Sequence, residues 1–333
     1  MKIYSIIFGS YGLVLLLSLV ACEDAPRNNI FDPESSLYQQ SGTLQGSVSG
    51  KYLPYDPIPG VKVELANENR FTETNINGEY TFPRLQPGTV SVAYAAEGFD
   101  TVEDSVIIQA GKTTTHQIFI NGIPVIESVK LITRHIAHWQ PTEDEYVLDV
   151  AVDVYDYDGS LDVDSVFFQI PSWDFYRVLL RGLNTESYAG IYFNDVFGSY
   201  AFPEIQGEPM HFQCKDKSGL LGPIFQSQIS RLIISTPQTL SPAGLATVDA
   251  LPVFRWSHFD AGFAVKYEVD IFRLDESAIP LHMLASPILA DTTLRWELDT
   301  PLANAHYYWT LTVYDRYDNM SVSREAAFIV ESP

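Results

Sequence analysis

The chain has 333 residues and a formal net charge of −22, a balance that excludes nucleic-acid binding, which needs clustered lysine and arginine. Domains of about 100–200 residues make it a chain of roughly two to three domains. Two cysteines exclude a disulfide-stapled scaffold, and 19 Tyr, 19 Phe and 5 Trp, set with Val, Ile and Thr in alternating runs, favour strands.

Met1-Lys2 is a short positive start, Ile3 to Val20 is apolar, and small Ala21 precedes Cys22. This is the plan of a secretory signal peptide over residues 1–21. A transmembrane helix is the rival, because the run approaches the ~18–20 residues that span a bilayer. Glu23 and Asp24 follow it, where a membrane stop would place basic residues. Leu19-Val20-Ala21-Cys22 resembles the lipobox of bacterial lipoproteins. The resemblance implies cleavage before Cys22, acylation (palmitate) of its sulfur, and a mature chain held at the outer membrane. Several acyl chains anchor a protein stably where one does so weakly. Glu23-Asp24 and Asn28-Asn29-Ile30-Phe31-Asp32-Pro33 are similar to stretches near the start of surface lipoproteins of the Bacteroidetes, which implies an outward-facing protein. The alternative is a solvated acidic tether on a periplasm-facing one. Residues 22–40 are polar, lack a periodic face and read as that tether.

Residues 41–122 form the clearest unit. Val61, Val63 and Leu65 alternate with polar neighbours, as do Val90, Val92 and Tyr94. Thr72 to Phe82 reads as strand, tight turn, strand, with Asn77-Gly78 as a hairpin signal because both residues tolerate positive φ. Gly46-Ser47-Val48, Pro59-Gly60-Val61-Lys62-Val63, Gly78-x-Tyr80-x-Phe82, Leu85-x-Pro87-Gly88 and Gly98-Phe99 together resemble the carboxypeptidase regulatory-like domain. That resemblance implies a transthyretin-like β-sandwich with no catalytic residues of its own.

Residues 123–235 carry a long alternating strand, Tyr146 to Tyr155, an acidic turn, and further strands at Val166–Pro171 and Glu208–Cys214. The outline resembles an immunoglobulin-like domain of bacterial envelope proteins. Residues 236–333 carry Pro252-x-Phe254-x-Trp256, the Tyr267 strand and Tyr307-Tyr308-Trp309-x-Leu311-x-Val313. They resemble a fibronectin type III domain, with Trp256 and Trp309 expected in its core. The expected class is therefore all-β, with tandem β-sandwich domains behind a lipidated tether.

Three stretches could carry chemistry. Asp156-x-Asp158-Gly159, followed by Asp162, presents hard oxygens at alternate positions, as calcium requires. It matches the middle of an EF-hand loop, but the register breaks at Val154 and Ser165. Asp156, Asp158 and Asp162 are thus candidate calcium ligands, and an acidic turn between strands is the other reading. His135 and His138 flank Ile136-Ala137, without a third zinc ligand in view. Residues 173–202 are rich in aromatics that can stack on sugar rings, form interfaces or fill a core; Trp173, Tyr176 and Tyr192 are the candidate ligand-binding residues. Cys214 alternates onto the face of Phe212 and reads as a core residue.

No Gly-x-Ser-x-Gly, phosphate-binding loop or His-x-x-Glu zinc pair appears, so no enzyme is expected. The expected function is a non-catalytic binding module for glycan or other extracellular matter, with the membrane engaged through the lipid. The alternative is a structural accessory that organises an envelope protein complex.

Overall fold

Apolar–polar alternation sets most of the strands. The computed structural model describes residues 32–35, 38, 40–66, 68–198, 201–275 and 279–331. Residues 1–21, expected as a signal peptide, Cys22 and most of the expected tether lie outside the described residues. Among the described residues no helix is long and apolar enough to cross a membrane. The protein is all-β, and its chain divides into two compact units, Met1–Gly122 and Ile123–Pro333.

In the first unit the strands are β1 (Gly42–Gly50), β2 (Lys62–Leu65), β3 (Arg70–Glu73), β4 (Glu79–Leu85), β5 (Gly88–Ala95), β6 (Val102–Ile108) and β7 (Thr113–Ile120). One sheet has the order β4-β1-β7, with β1 and β7 parallel, and the other β3-β2-β5-β6. Leu44 and Val48 from the first sheet meet Val63, Leu65, Val92 and Tyr94 from the second. Burying each such aliphatic side chain is worth ~1.5–3 kcal/mol over leaving it in water.

The Asn77-Gly78 turn corrects the sequence expectation of a hairpin. β3 pairs with β2 and β4 pairs with β1, so the turn carries the chain from one sheet to the other. Asn75 Oδ1 accepts the N–H groups of Asn77 and Glu79, both at 2.9 Å. Gly78 has φ +72°, and a Cβ there would lie 2.4 Å from the Val48 carbonyl oxygen. The local signal for a tight turn was correct; which strands it joins depends on pairing partners distant in sequence.

The second unit holds two cores. The first is enclosed by β8 (Val125–Ile136), β9 (Glu145–Tyr155), β10 (Val163–Ile170), β11 (Phe175–Arg181), β12 (Ser187–Phe193), β13 (Met210–Asp216) and β14 (Phe225–Ser227). Their order is β14-β13-β10-β11-β12-β9-β8. β11 pairs with β10 over Phe175–Leu179 and with β12 only at Leu180 and Arg181. It therefore hands the chain from one layer to the other, and the sheet folds over its own core: the Phe168 ring on β10 lies 5.2 Å from Tyr192 on β12. The second core surrounds Phe254, Trp256, Tyr267 and Trp309, as the sequence predicted for the two tryptophans. It is covered by the sheet of Thr239–Ser241, Val253–Trp256 and Arg295–Glu297, and by the sheet containing Lys266–Leu274 and Ala305–Tyr314.

The changeover between cores falls between Leu232 and Ile233, close to the boundary expected at 235, yet Ile123–Pro333 is one compact unit. The short strand Met320–Val322 pairs in parallel with Arg134–Ile136 of β8 and joins the two sandwiches edge to edge. Buried polar groups seal the junction. Asn319 Oδ1 accepts the Thr133 N–H at 2.9 Å, the Ser321 hydroxyl donates to the Ser235 carbonyl at 2.8 Å, and Arg231 pairs with Asp315 at 3.0 Å.

Candidate functional site

The aromatic stretch divides between core and surface by strand alternation. On β11, Phe175 and Leu179 point inward while Tyr176, Val178 and Leu180 point outward, Leu180 with 77% of its surface exposed. Tyr176 is 49% exposed. Tyr192 is only 8% exposed and packs in the core against Phe168, which corrects its assignment as a ligand residue. Trp173 sits in the turn between β10 and β11, is half-buried, and packs edge-on against Phe197. Of the three expected binding residues, Tyr176 alone presents an open ring.

Register surrounds that ring with residues the sequence reading had not singled out. Tyr176 pairs with Gln169, Gln169 with His211, and His211 with Gln226, so these four form a row across β11, β10, β13 and β14. In the neighbouring row, Val178 pairs with Phe167 and Phe167 with Gln213. The Phe167 and Tyr176 rings lie 5.2 Å apart, and Gln226 Nε2 lies 3.3 Å from His211 Nε2. The result is an outward platform of two rings beside amides and an imidazole. Stacking partners next to hydrogen-bonding groups suit a polar ring with apolar faces. The available signal was alternation: Phe167, Gln169, His211 and Gln213 are the polar-face members of strands whose apolar members were recognised.

The other candidate lies at the opposite end of β10 and β13. β9 ends at Tyr155, and the loop Asp156–Asp162 leads into β10. Gly159 N–H donates to the Asp156 carbonyl and Asp162 N–H to the Gly159 carbonyl, both at 2.9 Å, with Gly159 at φ +96°. These consecutive turns bring one carboxylate oxygen each of Asp156, Asp158 and Asp162 within 4.8 Å of one another. Lys217 N–H, donating to the Asp162 carbonyl at 2.9 Å, ties this loop to the turn that starts at Asp216.

Asp156 is 3% exposed. Its Oδ1 accepts the Asp158 N–H at 2.8 Å, while its buried Oδ2 has no hydrogen-bond partner among the described residues. Burial first, and then the charges of Asp158, Asp162 and Asp216, push its carboxyl up to about 6, against the lowering effect of the Asp158 N–H. Cys214 on β13 is fully buried, and its thiol is pushed up to about 12, by burial first and then by the Asp156 charge. A thiol so far from its thiolate is inert, in keeping with a core role.

His135 and His138 both serve the junction. The His135 ring bridges the Ile233 carbonyl at 3.1 Å and Asp144 Oδ2 at 2.9 Å, and it stacks on Tyr146. His138 Nδ1 meets Glu325 Oε1 at 3.2 Å.

Residues 43–120 match the carboxypeptidase regulatory-like domain. That match covers the first sandwich and agrees with the expectation for residues 41–122. No curated protein matches the chain. Among solved structures, the FN1–FN3 domains of chicken CNTN1 are similar at 10% identity and a TM-score of 0.32, covering 89% of this chain and 96% of theirs. The major pilin subunit of Bacillus cereus is similar at 9% identity and a TM-score of 0.31, covering 88% and 99%. Fibronectin(III)-like modules of Clostridium thermocellum CbhA are similar at 11% identity and a TM-score of 0.28, covering 62% and 93%. No functional inference attaches to these three.

Proposed function

We propose that the chain is a non-catalytic binding module for glycan, anchored at the outer membrane through lipid on Cys22 and facing outward. The observation that carries the reading is the platform of Tyr176 and Phe167 with Gln169, His211 and Gln226 on one open sheet face. Aromatic rings give stacking area at low conformational cost, and amides read hydroxyl groups. A sheet face holds these side chains in a fixed array, which suits recognition.

The test is a glycan array probed with the chain and with the double variant Tyr176→Ala/Phe167→Ala. Binding of a defined glycan, weakened at least tenfold in the variant while its circular dichroism stays unchanged, is the expected result. Array-wide silence, or binding indifferent to the variant, would remove the glycan reading. Protease shaving of intact cells tests the location: loss of the chain from intact cells is expected, and protection until the outer membrane is opened would make it periplasmic.

The structural-accessory reading rests on a different observation, the hydrogen-bonded junction that unites both sandwiches of Ile123–Pro333 into one compact unit. Such a unit suits a spacer or scaffold. Crosslinking in intact cells that captures one stoichiometric envelope protein, together with a silent array, would favour it.

A further inference from the structure

We propose that the loop Asp156–Asp162 is a calcium site, with the carboxylates of Asp156, Asp158 and Asp162 as its protein ligands. The site stands apart from the glycan reading and does not depend on it.

The geometry suits one ion. Calcium keeps its oxygen ligands at 2.3–2.6 Å, so oxygens on opposite sides of it are separated by up to about 5 Å. The three carboxylate oxygens already lie within 4.8 Å of one another. All are hard oxygen donors, without histidine or thiolate, which selects calcium over zinc or copper. Calcium takes six to eight ligands, and loop carbonyls and water ordinarily complete the set.

A second observation points to a ligand independently of the acidity. Asp156 Oδ2 is buried, and among the described residues no donor reaches it. Nor does Asp156 form an ion pair among the described residues. A buried carboxylate oxygen left this way costs free energy unless something positive or donating meets it. Elsewhere the same chain meets that demand with protein groups: the buried Asp315 has Arg231 at 3.0 Å and the Asn319 amide at 3.1 Å on its Oδ2. At Asp156 the neighbours are instead carboxylates, so the missing partner is a cation from solution. Asp158, half-buried with exposed neighbours in Tyr157 and Gly159, opens the site to that solution.

The EF-hand comparison also falls into place. Its full twelve-residue register fails here because Val154 and Ser165 stand at its ends. This loop instead spans two strands of a sandwich, and Asp162 returns to the ion through the turn at Gly159.

The test is terbium luminescence on the full chain, with Tyr155 and Tyr157 in and beside the loop as sensitisers and calcium as competitor. The expected result is saturable emission reversed by calcium, with calcium affinity in the range of extracellular modules, about 10⁻⁴–10⁻³ M. Asp156→Asn and the more exposed Asp158→Asn should each weaken calcium binding at least tenfold, and a melting scan should show a calcium-dependent rise in Tm in the parent only. Absence of a calcium-competed signal up to ~10 mM, beyond that range, would overturn the proposal. So would calcium binding unchanged in both variants, or an equal response to magnesium.

Discussion

Val154-Tyr155-Asp156 and Val313-Tyr314-Asp315 are the same three residues at equivalent places, each ending a long strand and opening a turn. Both aspartates are buried, and both use Oδ1 to accept the N–H two residues on, at 2.8 Å from Asp158 and 2.7 Å from Tyr317. They part at Oδ2. Asp315 is met by Arg231 and Asn319 and holds the sandwich junction together. Asp156 has no such donor among the described residues and stands among acids. A short motif thus fixes a turn, while the partners brought by distant strands decide whether its carboxylate is a structural plug or a free ligand.

Breaking the satisfied member should cost most. Asp315→Ala removes the acceptor for Arg231, Asn319 and two backbone N–H groups, and a loss of about 3 kcal/mol is expected from urea denaturation. A loss under about 1 kcal/mol, the worth of one ordinary hydrogen bond, would mean the two aspartates are not opposites.

The pH dependence comes next. Because the folded-state carboxyl of Asp156 is raised from 3.8 to about 6, folding binds a proton between those values. The stability this contributes is fully present below the unfolded value and is lost as pH rises through about 6. In chelator, the parent should therefore lose stability relative to Asp156→Asn between pH 4 and pH 7, by at most on the order of 3 kcal/mol. Parallel curves for the two proteins would refute the burial cost assigned to this group.

At neutral pH the same substitution should stabilise the metal-free protein by about 1–2 kcal/mol, since it removes an uncompensated buried charge. Saturating calcium should reverse that order. Paired denaturant titrations, with chelator and with calcium, would measure both signs.

The smallest effect belongs to a fully partnered hydrogen-bond network in the first unit. Tyr80 and Tyr94 hydroxyls lie 2.7 Å apart, Tyr94 lies 2.8 Å from His116 Nδ1, and His116 Nε2 lies 3.0 Å from Asp104. Burial raises the Tyr94 hydroxyl well above its ordinary range, so it stays neutral. Tyr94→Phe should cost only about 1 kcal/mol by thermal denaturation.

Sequence by itself determined the all-β class, the inward members of most strands, the turns at Asn77-Gly78 and Asp156–Gly159, and the family likeness of residues 41–122, matched over 43–120. These depend on period-two alternation and turn chemistry, which are written within a few residues of each other. It also marked Asp156, Asp158 and Asp162 as a group, because they lie in one loop. Tertiary structure alone decided the rest. Tyr192 faces inward and Tyr176 outward because one residue of strand phase reverses the face. Gln169, His211 and Gln226 join Tyr176 only through pairing across β10, β13 and β14. Asp315 found Arg231, and Asp216 came up beside the acids of the Asp156 loop, through contacts between segments far apart in the chain. Charge compensation is a property of three-dimensional neighbours, and two identical tripeptides cannot reveal which of them will have one.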